Sequence, residues 1–217
     1  TYSMSNADWI EMNEFSYLVQ SFHHLGLLRF VALYLYDSLS VSYKDFYSAL
    51  MNFLRKNNGT VAGKAMKLVE DKLHDVIENN SSITRSDERF GSVEWPLEEL
   101  VFLMTVYERD LFYEEIKPFV YSFIEDKSFA DELLRYQRFL IKYPEIAGEE
   151  ASFSYDFPSY FDAILGGIPA KLERKETKII LDKKGFPLSW EDYARFVVWY
   201  GRKSGSNFYK FRKEVKQ

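Results

Sequence analysis

The 217-residue chain contains no cysteine. That excludes disulfides, thiolate zinc sites, a cysteine nucleophile and any iron–sulfur cluster held by this chain alone. Glycine (10) and proline (6) are scarce, too few for the many tight turns of an all-β fold, so helices are favoured. No apolar run approaches the ~20 residues that span a bilayer, and no signal peptide precedes the first helical pattern. The compartment expected from these absences is the cytoplasm. There the sequons Asn58-Gly-Thr60 and Asn79-Asn-Ser81 carry no meaning. Histidine is also sparse, at three residues. His23 and His24 are neighbours on a predicted helix, so their side chains diverge by ~100° and cannot share a metal. His74 stands alone.

What is present is a globular balance, with 47% hydrophobic, 28% charged and 18% aromatic residues. Residues 1–7, with Ser5-Asn6-Ala7, look like the remnant of a cleaved purification tag and are set aside from the fold argument. A helical pattern that starts directly at Asp8, without a methionine of its own, predicts a domain cut from a longer protein. From Asp8 to Leu25, Phe15, Leu18, Val19 and Phe22 share one helical face. After Gly26, Leu27 to Tyr36 continues as an apolar helix. Ser42-Tyr-Lys-Asp45 reads as a capping box opening a helix with Phe46, Leu50, Phe53 and Leu54 inward, which Asn57-Asn58-Gly59 stops. Val61 to Ile77 is the cleanest amphipathic stripe. Residues 79–94 are polar and aperiodic, which predicts a long loop. Trp95-Pro96 suits a helix start, followed by Leu97, Leu100, Val101, Met104 and Leu111 at helical spacing. Pro118 starts or kinks another helix, and Ser128-Phe-Ala-Asp131 is a second capping box ahead of Leu133, Leu134, Phe139 and Leu140.

The pattern changes after Pro144. Gly148 to Ser152 reads as a loop, Tyr160 to Leu165 as a short helix closed by Gly166-Gly167, and Thr177 to Leu181 as a β-branched strand. Lys183-Lys184-Gly185 is a turn. Ser189-Trp-Glu-Asp192 is a third capping box, opening a helix that runs to Tyr200 and stops at Gly201. Its inward stripe is Tyr193, Phe196, Val197 and Tyr200, with Trp199 at the edge. Asn207 to Phe211 is a last strand, able to pair with Thr177 to Leu181. The expected fold is mainly α, a multi-helix orthogonal or bundle-like domain with a small C-terminal β element. Residues 8–145 form the helical domain, and 146–217 form a C-terminal segment packed on it.

Charge is unevenly placed. Residues 171–217 hold 13 basic and 6 acidic side chains, a net of +7, against 15 and 27 in residues 1–170, a net of −12. The basic tail could dock on an acidic partner, on nucleic acid, or on the acidic helices of its own chain. The strongest docking candidate is Trp199, Tyr200, Arg202 and Lys203, where rings and cations meet at a helix stop; the same residues also read as a rigid corner with Arg202 favourably placed at the helix C-terminus. No RNA-binding signature accompanies the tail, and the larger acidic part repels a polyanion, so useful affinity for generic RNA is not expected. Glu114-Glu115 and Glu149-Glu150 are neighbours rather than opposed carboxylates, and Gly166-Gly167 lacks the context of a phosphate loop. No catalytic, cofactor-binding or metal-ligating residue is identified. Ser21-Phe-His-His-Leu-Gly26 approaches an Asp-x-His-x-x-Gly cobalamin signature but has serine where an aspartate must orient the histidine, and no strand precedes it.

Three stretches together carry a family resemblance. They are Phe15 through Phe53, ending in Tyr43-Lys-Asp-Phe46; Leu134-Arg-Tyr-Gln-Arg-Phe139 with Ser154-Tyr-Asp-Phe157; and Ser189-Trp-Glu-Asp-Tyr-Ala-Arg195 running into Val198-Trp-Tyr-Gly-Arg202. They resemble the mostly helical C-terminal region of bacterial radical SAM proteins with an N-terminal cobalamin-binding domain, often labelled Fe–S oxidoreductases. The resemblance implies a parent enzyme that uses a [4Fe–4S] cluster, S-adenosylmethionine and, through its cobalamin domain, cobalamin. The family's Cys-x-x-x-Cys-x-x-Cys motif maps to nothing here. The chain is then expected to be a non-catalytic accessory domain whose partner is the missing catalytic portion of the same polypeptide, capping its barrel or docking substrate. A stand-alone helical protein–protein interaction module and an RNA-binding appendage of an RNA-modifying enzyme are the alternatives.

Overall fold

The computed structural model describes residues 4–141, 143–144, 150–181, 189–199 and 211–214. The fold is mainly α with a small β element, as the sparse turn residues and the helical stripes predict. The chain opens with α1 (Asn6–Val19), a π-helical turn (Gln20–His24), α2 (Arg29–Leu39), α3 (Tyr43–Lys56) and α4 (Val61–Asn79). A two-stranded antiparallel ribbon, β1 (Thr84–Arg85) with β2 (Trp95–Pro96), leads into α5 (Leu97–Tyr107), α6 (Arg109–Glu115), α7 (Lys117–Tyr121) and α8 (Lys127–Leu140). Then come β3 (Glu150–Phe153), α9 (Phe157–Leu165), β4 (Thr177–Leu181), the short α10 (Trp190–Asp192), a π-helix (Tyr193–Trp199) and β5 (Phe211–Glu214). Strands β3, β4 and β5 form an antiparallel sheet with β4 central. No single helix among the described residues is long and apolar enough to cross a membrane. Only the first helical stretch and α2 taken together would be, and they are bent by 88°.

Long-range polar bonds hold the first corner. Gly26 (φ 98°) turns the chain between the π-turn and α2, a conformation that costs glycine little. The N-cap of α2 is Leu28, which offers no capping oxygen. The fully buried Gln137 of α8 supplies it instead: its Oε1 accepts from Phe30 N–H (2.7 Å) and its Nε2 donates to the Gly26 carbonyl (2.6 Å). Tyr113 donates to the Leu27 carbonyl (2.7 Å). Similarly, Thr60 caps Gly63 N–H of α4 and Glu115 of α6 accepts from Val61 N–H (2.7 Å). These bonds satisfy helix-end donors that have no intrahelical partner.

The C-terminal segment joins the helical core through rings. Tyr136 of α8 stacks on Phe157 (4.8 Å) and Phe161 (5.5 Å) of α9, and Phe161 lies 4.7 Å from Phe30 of α2. Phe153 of β3 is buried against Tyr136 and Phe139. Strand β4 alternates, with Thr177, Ile179 and Leu181 inward, the pattern of a half-buried strand.

Several expectations need correction. Ser5, set aside with the tag-like residues, is the N-cap of α1 in a reciprocal capping box with Asp8. The predicted 79–94 loop contains β1 and a 3₁₀ turn that buries Phe90. Pro96 belongs to β2 and immediately precedes the helix it was expected to begin. Leu111 is exposed, because a break at Glu108 rotates α6 away from the stripe of α5. Helix α8 is capped by Asp126, not Ser128, and Asp131 instead accepts from Tyr121 O–H (2.5 Å). Part of the predicted 148–152 loop is β3, stabilised by pairing with a strand distant in sequence. The last strand is described at Phe211–Glu214, paired with β4; positions 207–210 of the predicted strand lie outside the described residues.

Beyond Ser189, which caps as expected, the chain winds as a π-helix. Its wider turn brings residues five apart into line. Tyr193, Ala194 and Val198 are therefore buried, while Phe196, expected inward, is exposed. The predicted turn at 183–185 and the helix stop at Gly201 lie outside the described residues.

Candidate functional site

The histidine pair sits at the corner between α1 and α2. His23, on the π-turn, is half-buried, with Nδ1 2.9 Å from the Tyr47 hydroxyl of α3. The His23 and His24 rings meet edge-on at 5.5 Å, and the rings of Tyr43 (5.2 Å) and Tyr47 (5.7 Å) complete the surroundings of His23. Burial first, then the Arg29 and His24 charges, push the His23 pKa down to about 4, so the imidazole is neutral at neutral pH. Burial likewise raises the Tyr47 phenol well above its ordinary range. The Ser21 hydroxyl, in the aspartate position of the cobalamin-like signature, faces the Tyr17 and Glu98 carbonyls (2.9 and 2.8 Å) and does not orient the histidine. No group of three His, Cys, Asp or Glu among the described residues can hold a metal ion.

From this corner a belt of tyrosines crosses the surface of α2. Tyr36, 54% exposed, stacks face to face on Tyr43 at 4.6 Å. The adjoining Asp37 accepts from Tyr160 O–H (2.6 Å), and Ser38 lies 2.9 Å from the same hydroxyl. Burial and this bond to a carboxylate hold the Tyr160 phenol far above its ordinary pKa. The Tyr160 ring meets Tyr34 (6.3 Å), Tyr34 meets Phe129 (4.8 Å), and Phe129 meets Tyr155 (5.1 Å).

The belt ends in an open groove of about 520 Å³, walled by Tyr34, Leu39, Phe123, Phe129, Tyr155 and Leu172. Among the described residues, Glu125 and Asp126 are its charged lining residues and no cationic side chain lines it. The Tyr34 pKa is raised by burial and then by Tyr155 and Asp126. Ring faces beside carboxylates attract a cation with an apolar stem.

Of the docking candidates read from sequence, Trp199 is the last residue of the π-helix, and Tyr200, Arg202 and Lys203 lie outside the described residues. Glu114 pairs with Lys117, Glu115 caps α4, and Glu150 pairs with Lys178 (2.6 Å). Gly166 and Gly167 close α9. Three of the described tail cations pair with acids near the C-terminal segment, Lys175 with Asp156 (3.8 Å), Lys178 with Glu150 and Arg195 with Glu191 (3.0 Å). Sequence reasoning missed the tyrosine belt. Its signals were the 16 tyrosines and the spacing of Tyr43 and Tyr47, which places both on one helical face. Compared with known proteins, the chain matches no protein-family model and no curated protein sequence.

Proposed function

We propose that this chain is a non-catalytic accessory domain, and that its acidic, aromatic groove docks a basic segment of the catalytic portion of a longer polypeptide. The parent suggested by the resemblance is a bacterial, cytoplasmic radical SAM Fe–S oxidoreductase. The cluster, S-adenosylmethionine and cobalamin would belong to that portion, since this chain offers no thiolate to bind iron. The reading is carried by the groove, whose walls are largely aromatic and whose charged lining among the described residues is carboxylate. Such a lining selects Lys or Arg side chains by cation–π attraction and charge complementarity.

The test has two stages. The gene is read upstream for a three-cysteine motif, and the encoded catalytic portion is then expressed separately and titrated with this chain by calorimetry. The expected result is a complex weakened at least about tenfold, or by ~1.4 kcal/mol, by Glu125→Lys or by Leu39→Lys. An upstream sequence without that motif, or a complex indifferent to both variants, overturns the reading.

A further inference from the structure

A second site lies on the opposite chemical footing. Two recesses of about 270 Å³ each share a wall made by Arg109, Asp110 and Tyr143. One lobe is aromatic, with Tyr107 and Trp190, whose rings are 5.0 Å apart. The other is lined by Arg109, Arg135 and Arg138. The arginines are held in place. Arg109, 7% exposed, lies 3.8 Å over the Tyr143 ring and donates to the Ile141 carbonyl (3.3 Å). Arg135 lies 4.2 Å over the Phe153 ring, donates to the Ser152 carbonyl (2.6 Å) and pairs loosely with Glu132 (3.6 Å). Asp110 Oδ1 takes a bond from Arg109 Nε (3.1 Å) and an ion pair from Arg138 (2.8 Å).

That carboxylate oxygen marks where an anionic oxygen fits between two guanidinium groups. Asp110 is itself 66% exposed, and a bound phosphate has to displace its carboxylate from Arg109 and Arg138 toward solvent. Among the described residues Arg138 spends one pairing on it, leaving most of its five N–H donors for a ligand. Planar guanidinium groups fixed by stacking are suited to phosphate oxygens. Tyr107 is 42% exposed; Arg89 lies 5.0 Å over its ring, so a flat ring stacks on the face away from Arg89.

We infer that this two-lobed recess binds a nucleoside monophosphate, its phosphate against Arg109, Arg135 and Arg138 and its base against Tyr107 and Trp190. The inference is independent of the groove on α2 and α8. The complete chain is titrated calorimetrically with adenosine monophosphate, adenosine and inorganic phosphate. The expected Kd for the monophosphate is about 0.1–1 mM, with each fragment at least about tenfold weaker. Arg138→Gln, at a half-exposed position, weakens the monophosphate and phosphate alike by about tenfold. Tyr107→Ala weakens the monophosphate and adenosine but leaves phosphate unchanged. Circular dichroism melts confirm that both variants are folded, and Arg135→Gln replaces Arg138→Gln should the latter unfold. Absence of monophosphate binding, equal binding of phosphate and monophosphate, or binding indifferent to the arginine variants overturns the inference.

Discussion

Replacing Gln137 with leucine tests the corner on which the tyrosine belt is built. The side chains are similar in volume, so no large cavity opens. What is lost is both polar bonds of a fully buried amide, to Phe30 N–H and to the Gly26 carbonyl. Phe30 N–H lies in the first turn of α2, where no intrahelical carbonyl reaches it. Stranding a buried backbone group costs about 1–3 kcal/mol, so two cost about 2–6 kcal/mol, offset by ~1 kcal/mol because leucine is buried more favourably than an amide. The expected destabilisation is about 1–5 kcal/mol. With a urea slope of about 2–3 kcal/mol/M for a chain of this size, the midpoint falls by roughly 1 M. Native-state hydrogen exchange supplies a local readout, since the Phe30 amide should lose protection beyond the global change. A midpoint shift under about 0.2 M, or unchanged relative protection at Phe30, refutes the reasoning.

Three further outcomes are expected. The His23 pKa is lowered in the fold to about 4 from 6.5, so the stability it supplies is complete above about pH 6.5 and is lost as pH falls toward 4. Discounted for a half-exposed ring, that is about 1–2 kcal/mol; urea midpoints at neutral and mildly acidic pH should converge between wild type and His23→Gln as the pH falls, and parallel curves refute the shift. A Cβ at Gly63 would fall 2.1 Å from the Asn57 carbonyl oxygen and 2.8 Å from Asn58 Cα, so Gly63→Ala should cost about 2–3 kcal/mol; a denaturation midpoint matching wild type means that the α3–α4 connection yields freely. Filter binding with transfer RNA near 150 mM salt (a Debye length of about 8 Å) should detect no complex. Micromolar binding lost on neutralising Arg202 and Lys203 promotes the RNA-binding alternative.

The helices were legible where burial followed a regular period. The α4 stripe and the alternation of β4 appear where their sequences place them, because a single buried face dictates each. Legibility failed where a distant partner decided the outcome. Glu150 to Phe153 has little strand character alone and becomes β3 through its register with Thr177 to Ile180. The π-helix at 193–199 defeats any reading at 100° per residue, so Phe196 was placed on the wrong side. Local capping signals competed as well. Asp126 and Ser128 both suit an N-cap, and the one that begins the helix earlier wins.

The site was less legible than the fold for a related reason. A docking surface was sought where charge and rings are adjacent in sequence, at Trp199 to Lys203. The groove instead collects Tyr34 and Leu39 from α2, Phe123 beyond α7, Phe129 from α8, Tyr155 ahead of α9 and Leu172, which no linear motif links. Its acids, Glu125 and Asp126, look in sequence like an ordinary helix-start pair, and Asp126 does cap α8. Tertiary packing makes them a rim, because the α7–α8 turn sets them beside the rings of α2. The arginine recess arises in the same way, with Arg135 and Arg138 from α8 meeting Arg109 from α6. The chain thus presents an acidic aromatic groove and a basic aromatic recess, both sharing α8 as a wall, while residues 1–170 remain net negative. That division favours a cationic segment on the groove and confines anion binding to a recess small enough for one phosphate group. A long polyanion spread over the surface would meet far more repulsion than three arginines offset.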